Sequence, residues 1–160
     1  MSKATEKAFK ALSKAVRDLR AEESEYESLA WDVLYLAGRL RIPDHRRLTK
    51  RQWKRWGRNL ERMPMVRRRV VDRVHIVAAA YADCLDKTAD EVGAGADGDL
   101  EPGSAADRLA AIIEPIEPYL QAIEGPDPEA SRPAVEELLI SRCEGVPKET
   151  DPSMRRVGFR

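Results

Sequence analysis

The chain lacks most of what catalysis usually requires. Its 160 residues hold two histidines, two cysteines and 6% aromatics. His45 and His75 stand thirty positions apart, with no HExxH pattern and no paired-cysteine spacing, so the common zinc arrangements are excluded. The glycines of 93–103 (GAGADGDLEPG) are followed by acidic residues and no lysine, which excludes a GxxxxGK phosphate loop. No serine or cysteine has a histidine nearby in sequence to activate it. The expectation is a protein that is not an enzyme and uses no cofactor or metal. No apolar run approaches membrane-spanning length and the first residues carry no apolar signal core, so no membrane association and a cytoplasmic location are expected. Cys84 and Cys143 lie inside apolar-periodic segments and read as buried thiols, not as a disulfide framework.

Alternating apolar and polar runs are also absent. Alanine, leucine, arginine and glutamate dominate, and all are good helix formers. The fold class is therefore all-α, a single-domain bundle of five to six helices over residues 1–144, with an extended or disordered tail over 145–160. Ser2 caps a first helix with an apolar stripe at Ala4, Ala8, Leu12, Ala15, Val16 and Leu19. The acidic run Glu22-Glu23-Ser24-Glu25 reads as a break or as a solvated turn of one long helix. A second stripe, Tyr26, Leu29, Ala30, Val33, Leu34 and Ala37, ends at Gly38 and Pro43. Residues 42–48 form a basic loop. Thr49 caps a helix reaching Met63, and Pro64 starts another, with Val66, Val70, Val74, Val77, Tyr81, Leu85 and Thr88 inward, ending near Val92. After the loop 93–103, Ser104 caps a helix to Ile123 that Pro115 and Pro118 kink or interrupt. Residues 125–131 form a loop, and Pro133 opens a last helix to Cys143.

Charge carries the functional signal. The formal net charge is zero, with 28 basic and 28 acidic residues. Residues 39–73 nevertheless hold fourteen basic and three acidic groups, whereas residues 82–147 hold four basic and sixteen acidic ones. A neutral total says little about partners when the charge is segregated in this way. The string HRRLTKRQWKRWGRNLERMPMVRRRVVDR (residues 45–73) is the informative part. On a helix, Trp53, Trp56, Leu60 and Met63 share one face, which should pack on the bundle. Arg47, Arg51, Arg55, Arg58 and Arg62 share another, flanked by Lys50 and Lys54. Arg46 lies in the preceding loop, and Arg67, Arg68, Arg69 and Arg73 extend the charge onward. Such a ridge suits phosphate, because the guanidinium fork offers it two parallel hydrogen bonds. These twelve basic residues are the candidate nucleic-acid-binding set, with the RNA or single-stranded DNA backbone as ligand.

Three other uses stay open. The ridge can be a solvated face paired with the acidic half of the same or another molecule. It can belong to a sequence-reading DNA-binding regulator or a phage packaging or structural protein, although a helix-turn-helix wants a turn of 3–4 residues and a short recognition helix. A membrane-surface helix would need a larger apolar face. The tryptophans can stack on bases, Trp56 better placed than Trp53, but their spacing favours the core. Trp31 and Tyr35 are also core candidates. Asp83, Asp86 and Asp90 align on one face, as do Glu136 and Glu137, with solvation a simpler use than metal binding.

A small helical chain with a basic face and no catalytic motif resembles the small subunit of CRISPR effector complexes, those of type IV among them. The likeness covers overall length and helical character over residues 1–143 and no diagnostic motif. It implies a non-catalytic subunit that stacks in several copies within an RNA-guided ribonucleoprotein in antiviral defence. The basic positions of 46–73 would then contact the target or displaced strand, and the acidic half would contact neighbouring subunits.

Overall fold

The computed structural model describes residues 2–41, 49–94 and 105–144, with side-chain surroundings for 2–33, 49–90 and 105–144. Among the described residues every regular element is helical. The expected loops at 42–48 and over most of 93–103, the Ser104 cap and the tail 145–160 lie outside the described residues.

Two long helices make the frame. Helix α1 spans Lys3–Arg41 and α2 spans Lys50–Ala94. Ser2 caps α1, its hydroxyl accepting from the Thr5 amide at 3.1 Å. The acidic run does not break α1, because glutamate is a good helix former and the run has cationic neighbours across the hairpin. Gly38 also falls within the helix, which ends at Arg41, between the two expected stop signals Gly38 and Pro43. At the start of α2, Thr49 and Gln52 form a reciprocal capping box: the Gln52 amide donates to the Thr49 hydroxyl at 3.2 Å, and the Thr49 amide to Gln52 Oε1 at 2.9 Å.

The expected boundary at Met63–Pro64 is absent, and α2 continues through Pro64. Pro64 is exposed, so its ring and missing donor fall on the solvent side. Met63, Val66, Val70, Val74 and Val77 stay in helical phase across it and are all buried. They join Phe9, Leu12, Val16, Leu19 and Tyr26 of α1 in one core. Packing of this continuous stripe outweighs a proline penalty of about 3 kcal/mol. The stripe departs from expectation at its far end, where Cys84 is buried and Leu85 exposed.

Shorter helices close the core. Helix α3 covers Ala105–Ile113, a 3-10 turn covers Glu114–Ile116, and α4 covers Glu117–Ala122. Pro115 and Pro118 interrupt the segment as expected. Helix α5 covers Pro128–Cys143 and starts five residues before Pro133. Asp127 caps it by accepting from the Glu129 amide, and Pro128 supplies the preset φ of a first turn. The buried Ser131 hydroxyl accepts from the Glu124 amide at 3.0 Å and fixes the α4–α5 connection.

Two polar clusters fasten α4 and α5 to the middle of α1. In the first, the Tyr26 hydroxyl donates to Glu144 and accepts from Arg67, whose guanidinium lies 5.9 Å from the Tyr26 ring centroid. In the second, Glu23 accepts from the Tyr119 hydroxyl and takes two hydrogen bonds from Arg142, at 3.0 and 3.2 Å. Arg142 also stacks 5.0 Å from the Tyr119 ring and donates to the Pro115 carbonyl. Burial, then the Glu144 carboxylate, pushes the Tyr26 hydroxyl up to about 12. Burial, then Glu23, raises Tyr119 strongly. Burial and the Glu23 charge push the Cys143 thiol up to about 12, and burial also raises Cys84. Both cysteines are free thiols.

Two predictions follow from this packing. A β-carbon at Gly57 would meet nothing within 4 Å. Gly57→Ala should therefore raise stability by about 1 kcal/mol in urea unfolding, since it removes the entropic penalty of a mid-helix glycine. The second concerns alkali. Cys143, Tyr26 and Tyr119 all have folded pKa values above their unfolded ones, so their contribution is complete below the unfolded values and is lost as pH climbs through the folded ones. The urea midpoint should hold up to about pH 9 and fall progressively toward pH 12, and Tyr26→Phe should shrink the fall.

Candidate nucleic-acid interface

The twelve candidate cations do not form one open ridge. Arg46 and Arg47 lie outside the described residues. The other ten lie on α2, and the hairpin sorts eight of them into two sets, with Arg67 and Arg68 held separately. One set turns toward α1. Arg55 donates to Asp32 at 2.8 Å, Arg62 to Glu25 and Arg69 to Glu25 at 3.4 Å, while Arg69 Nε also lies 3.4 Å from Glu22 and Arg73 lies 3.7 Å from Asp18. The arginines are spaced seven, seven and four apart, and their acidic partners run in the opposite order along α1. This is an antiparallel ladder of ion pairs beside the core. Asp32 also accepts from the buried Asn59 amide at 3.2 Å. The rungs are partly exposed, so each contributes roughly 0.2–1 kcal/mol. Arg67 is held at Tyr26, and Arg68 reaches Glu129 at 3.3 Å.

The second set faces solvent. Lys50, Arg51, Lys54 and Arg58 are exposed. None of them has an ion-pair partner among the described residues. They occupy the first two turns of α2, within about 12 Å along the axis. The open cationic surface is thus the N-terminal end of α2, not the whole 46–73 run. Among the described residues, the pairing foreseen with the acidic residues of 82–147 occurs for Arg68 alone of these cations, and the counter-charge comes mainly from α1.

The tryptophans also depart from expectation. Only Met63 of the four residues expected to pack is buried. Trp53 is 46% exposed and Leu60 is exposed, while Trp56 is half-buried. Trp53 meets Trp56 edge to face, with ring centroids 5.7 Å apart. The Trp56 indole nitrogen is buried without a hydrogen-bond partner among the described residues. Trp53, not Trp56, is therefore the ring free to stack. The cause is helical phase: the stripe that packs on α1 is centred on Asn59, Met63, Val66 and Val70, and Trp53 and Leu60 fall beyond its edge.

Two features went unread in the sequence. The ladder was visible as matched acidic spacing at Asp18, Glu22, Glu25 and Asp32, had that run been set against the arginines. A second cationic stripe, Lys3, Lys7, Lys10, Lys14 and Arg17, recurs four and three apart on the exposed side of α1. Asp83, Asp86 and Asp90 do share an exposed face of α2. Among the described residues no group of three or more histidine, cysteine, aspartate or glutamate side chains could hold a metal ion, and no helix is long and apolar enough to cross a membrane. No protein-family model matches the chain, and comparison with curated proteins and with solved structures finds no match.

Proposed function

We propose that this protein is a non-catalytic subunit that binds a single-stranded nucleic-acid backbone at the N-terminal end of α2. The observation that carries this reading is the cluster Lys50, Arg51, Lys54 and Arg58, exposed and without carboxylate partners among the described residues, beside the exposed Trp53 ring. Cations that track phosphates next to an aromatic face that takes a base are the working parts of single-strand recognition. The cluster also sits at a helix N-terminus, where the peptide dipole adds to its attraction for anions. Contacts of this kind carry no base-edge readout, which favours backbone binding over a sequence-reading regulator. Membership of a multi-subunit, RNA-guided assembly, with several stacked copies and a cytoplasmic setting, rests on the resemblance to CRISPR small subunits.

Fluorescence anisotropy with labelled single-stranded oligonucleotides of unrelated sequence tests the reading. Four phosphate contacts predict a slope of about −3 for log K against log salt. Lys54→Glu and Arg58→Glu should each weaken binding about tenfold on every sequence. Trp53→Ala should weaken single-strand binding more than duplex binding. Absence of binding at low salt to any DNA or RNA overturns the proposal, and a variant effect confined to one sequence would favour base reading instead.

A further inference from the structure

One face of α2 is exposed from Arg51 to Asp90. Positions 51, 54, 58, 61, 65, 68, 72, 76, 79, 83, 86 and 90, three or four apart, are all exposed, while α1 and α5 pack on the other sides. Charge reverses along this face, from Arg51, Lys54 and Arg58 at the start to Asp83, Asp86 and Asp90 at the end, where Asp83 also pairs with Lys87 at 3.0 Å. Its middle carries two large exposed apolar side chains, Met65 at 65% and Ile76 at 50%.

The order is self-complementary. When the face is laid antiparallel on a second copy, with a two-fold axis between Arg68 and Asp72, Arg51 stands opposite Asp90 and Lys54 opposite Asp86. Arg58 then stands opposite Asp83, Met65 opposite Ile76, and Arg68 opposite Asp72. Symmetry makes each match occur twice, over about 60 Å of helix. A second observation points the same way. The first turn of α2 has no acidic residue and the last turn no basic one, so its charges oppose the helix dipole at both ends. An antiparallel copy brings carboxylates to the N-terminal end and cations to the C-terminal end, which is the arrangement the dipole favours.

We infer that two copies of this chain pair isologously through the outer face of α2. The interface is mainly ionic around a small apolar centre, so it weakens with salt. Lys54 and Arg58 cannot serve a second copy and a phosphate chain at once, so polyanion and self-pairing compete.

Sedimentation velocity of the full chain at low ionic strength tests this. The wild type should form a dimer that dissociates as salt rises. Arg58→Glu and Asp83→Arg should each weaken the dimer about tenfold or more, because each places like charges opposite one another at two symmetric positions. Both changes in one chain should restore it, since the swapped charges again match, and helical circular dichroism should be unchanged throughout. Asp83→Arg should keep single-strand binding, so this inference and the proposed function fail separately. The pairing is overturned if the wild type stays monomeric at low salt up to about 100 µM. It is also overturned if the single changes leave the dimer intact, if the combined change stays as weak as either alone, or if mass grows beyond a dimer.

Discussion

The fold depends on the antiparallel contact between α1 and α2. One apolar stripe on each helix supplies the adhesion, and the ion-pair ladder beside it sets register. A sliding of one helix by a turn would bury the same kinds of apolar side chain but would part Asp32 from both Arg55 and Asn59. The individual rungs are weak, as partly exposed ion pairs are. Their worth lies in discrimination between registers that the valine-rich stripe alone would tolerate. The same contact carries α2 across Pro64 and fixes which arginines are consumed internally and which remain outside.

Helical identity and several ends were legible because they rest on local chemistry. Ser2 and Thr49 cap where their hydroxyls can accept from nearby amides, and Pro115 interrupts a helix as its missing donor requires. Two boundaries were misplaced because tertiary packing overruled local signals. Pro64 lies inside α2 since the stripe on either side of it buries against one partner. The acidic run, legible either as a break or as a turn of one long helix, is the latter, with its charges answered by arginines more than thirty positions away. Helix α5 begins at Asp127–Pro128, a cap and first-turn pair stronger than the Pro133 signal. At the candidate interface, spacing correctly set cations apart from the core but could not divide them. Arg55 and Arg58 look alike in sequence, and only the position of α1 gives the first a carboxylate and leaves the second in water.

The acidic half of the chain does a different job from the one its charge suggested. Its described part contributes only Arg68's partner to the basic segment. Its structural weight lies instead in the Tyr119 hydroxyl and a few ions that meet α1 from the far side. Glu23 alone gathers Tyr119 and Arg142 and lies beside Cys143. Because these groups are neutral phenols and thiols held against carboxylates, burial does not strand a charge, and the clusters fasten short helices that would be marginal alone.

The end-to-end sorting of charge on α2 has a practical consequence. A molecule with equal numbers of cations and anions and a sequence isoelectric point near 6.8 would ordinarily pass both kinds of ion-exchange resin at neutral pH. This one presents a concentrated positive terminus and a concentrated negative terminus on the same rod. A flat charged matrix can engage either terminus, so chromatographic retention reports local patches and not the sum.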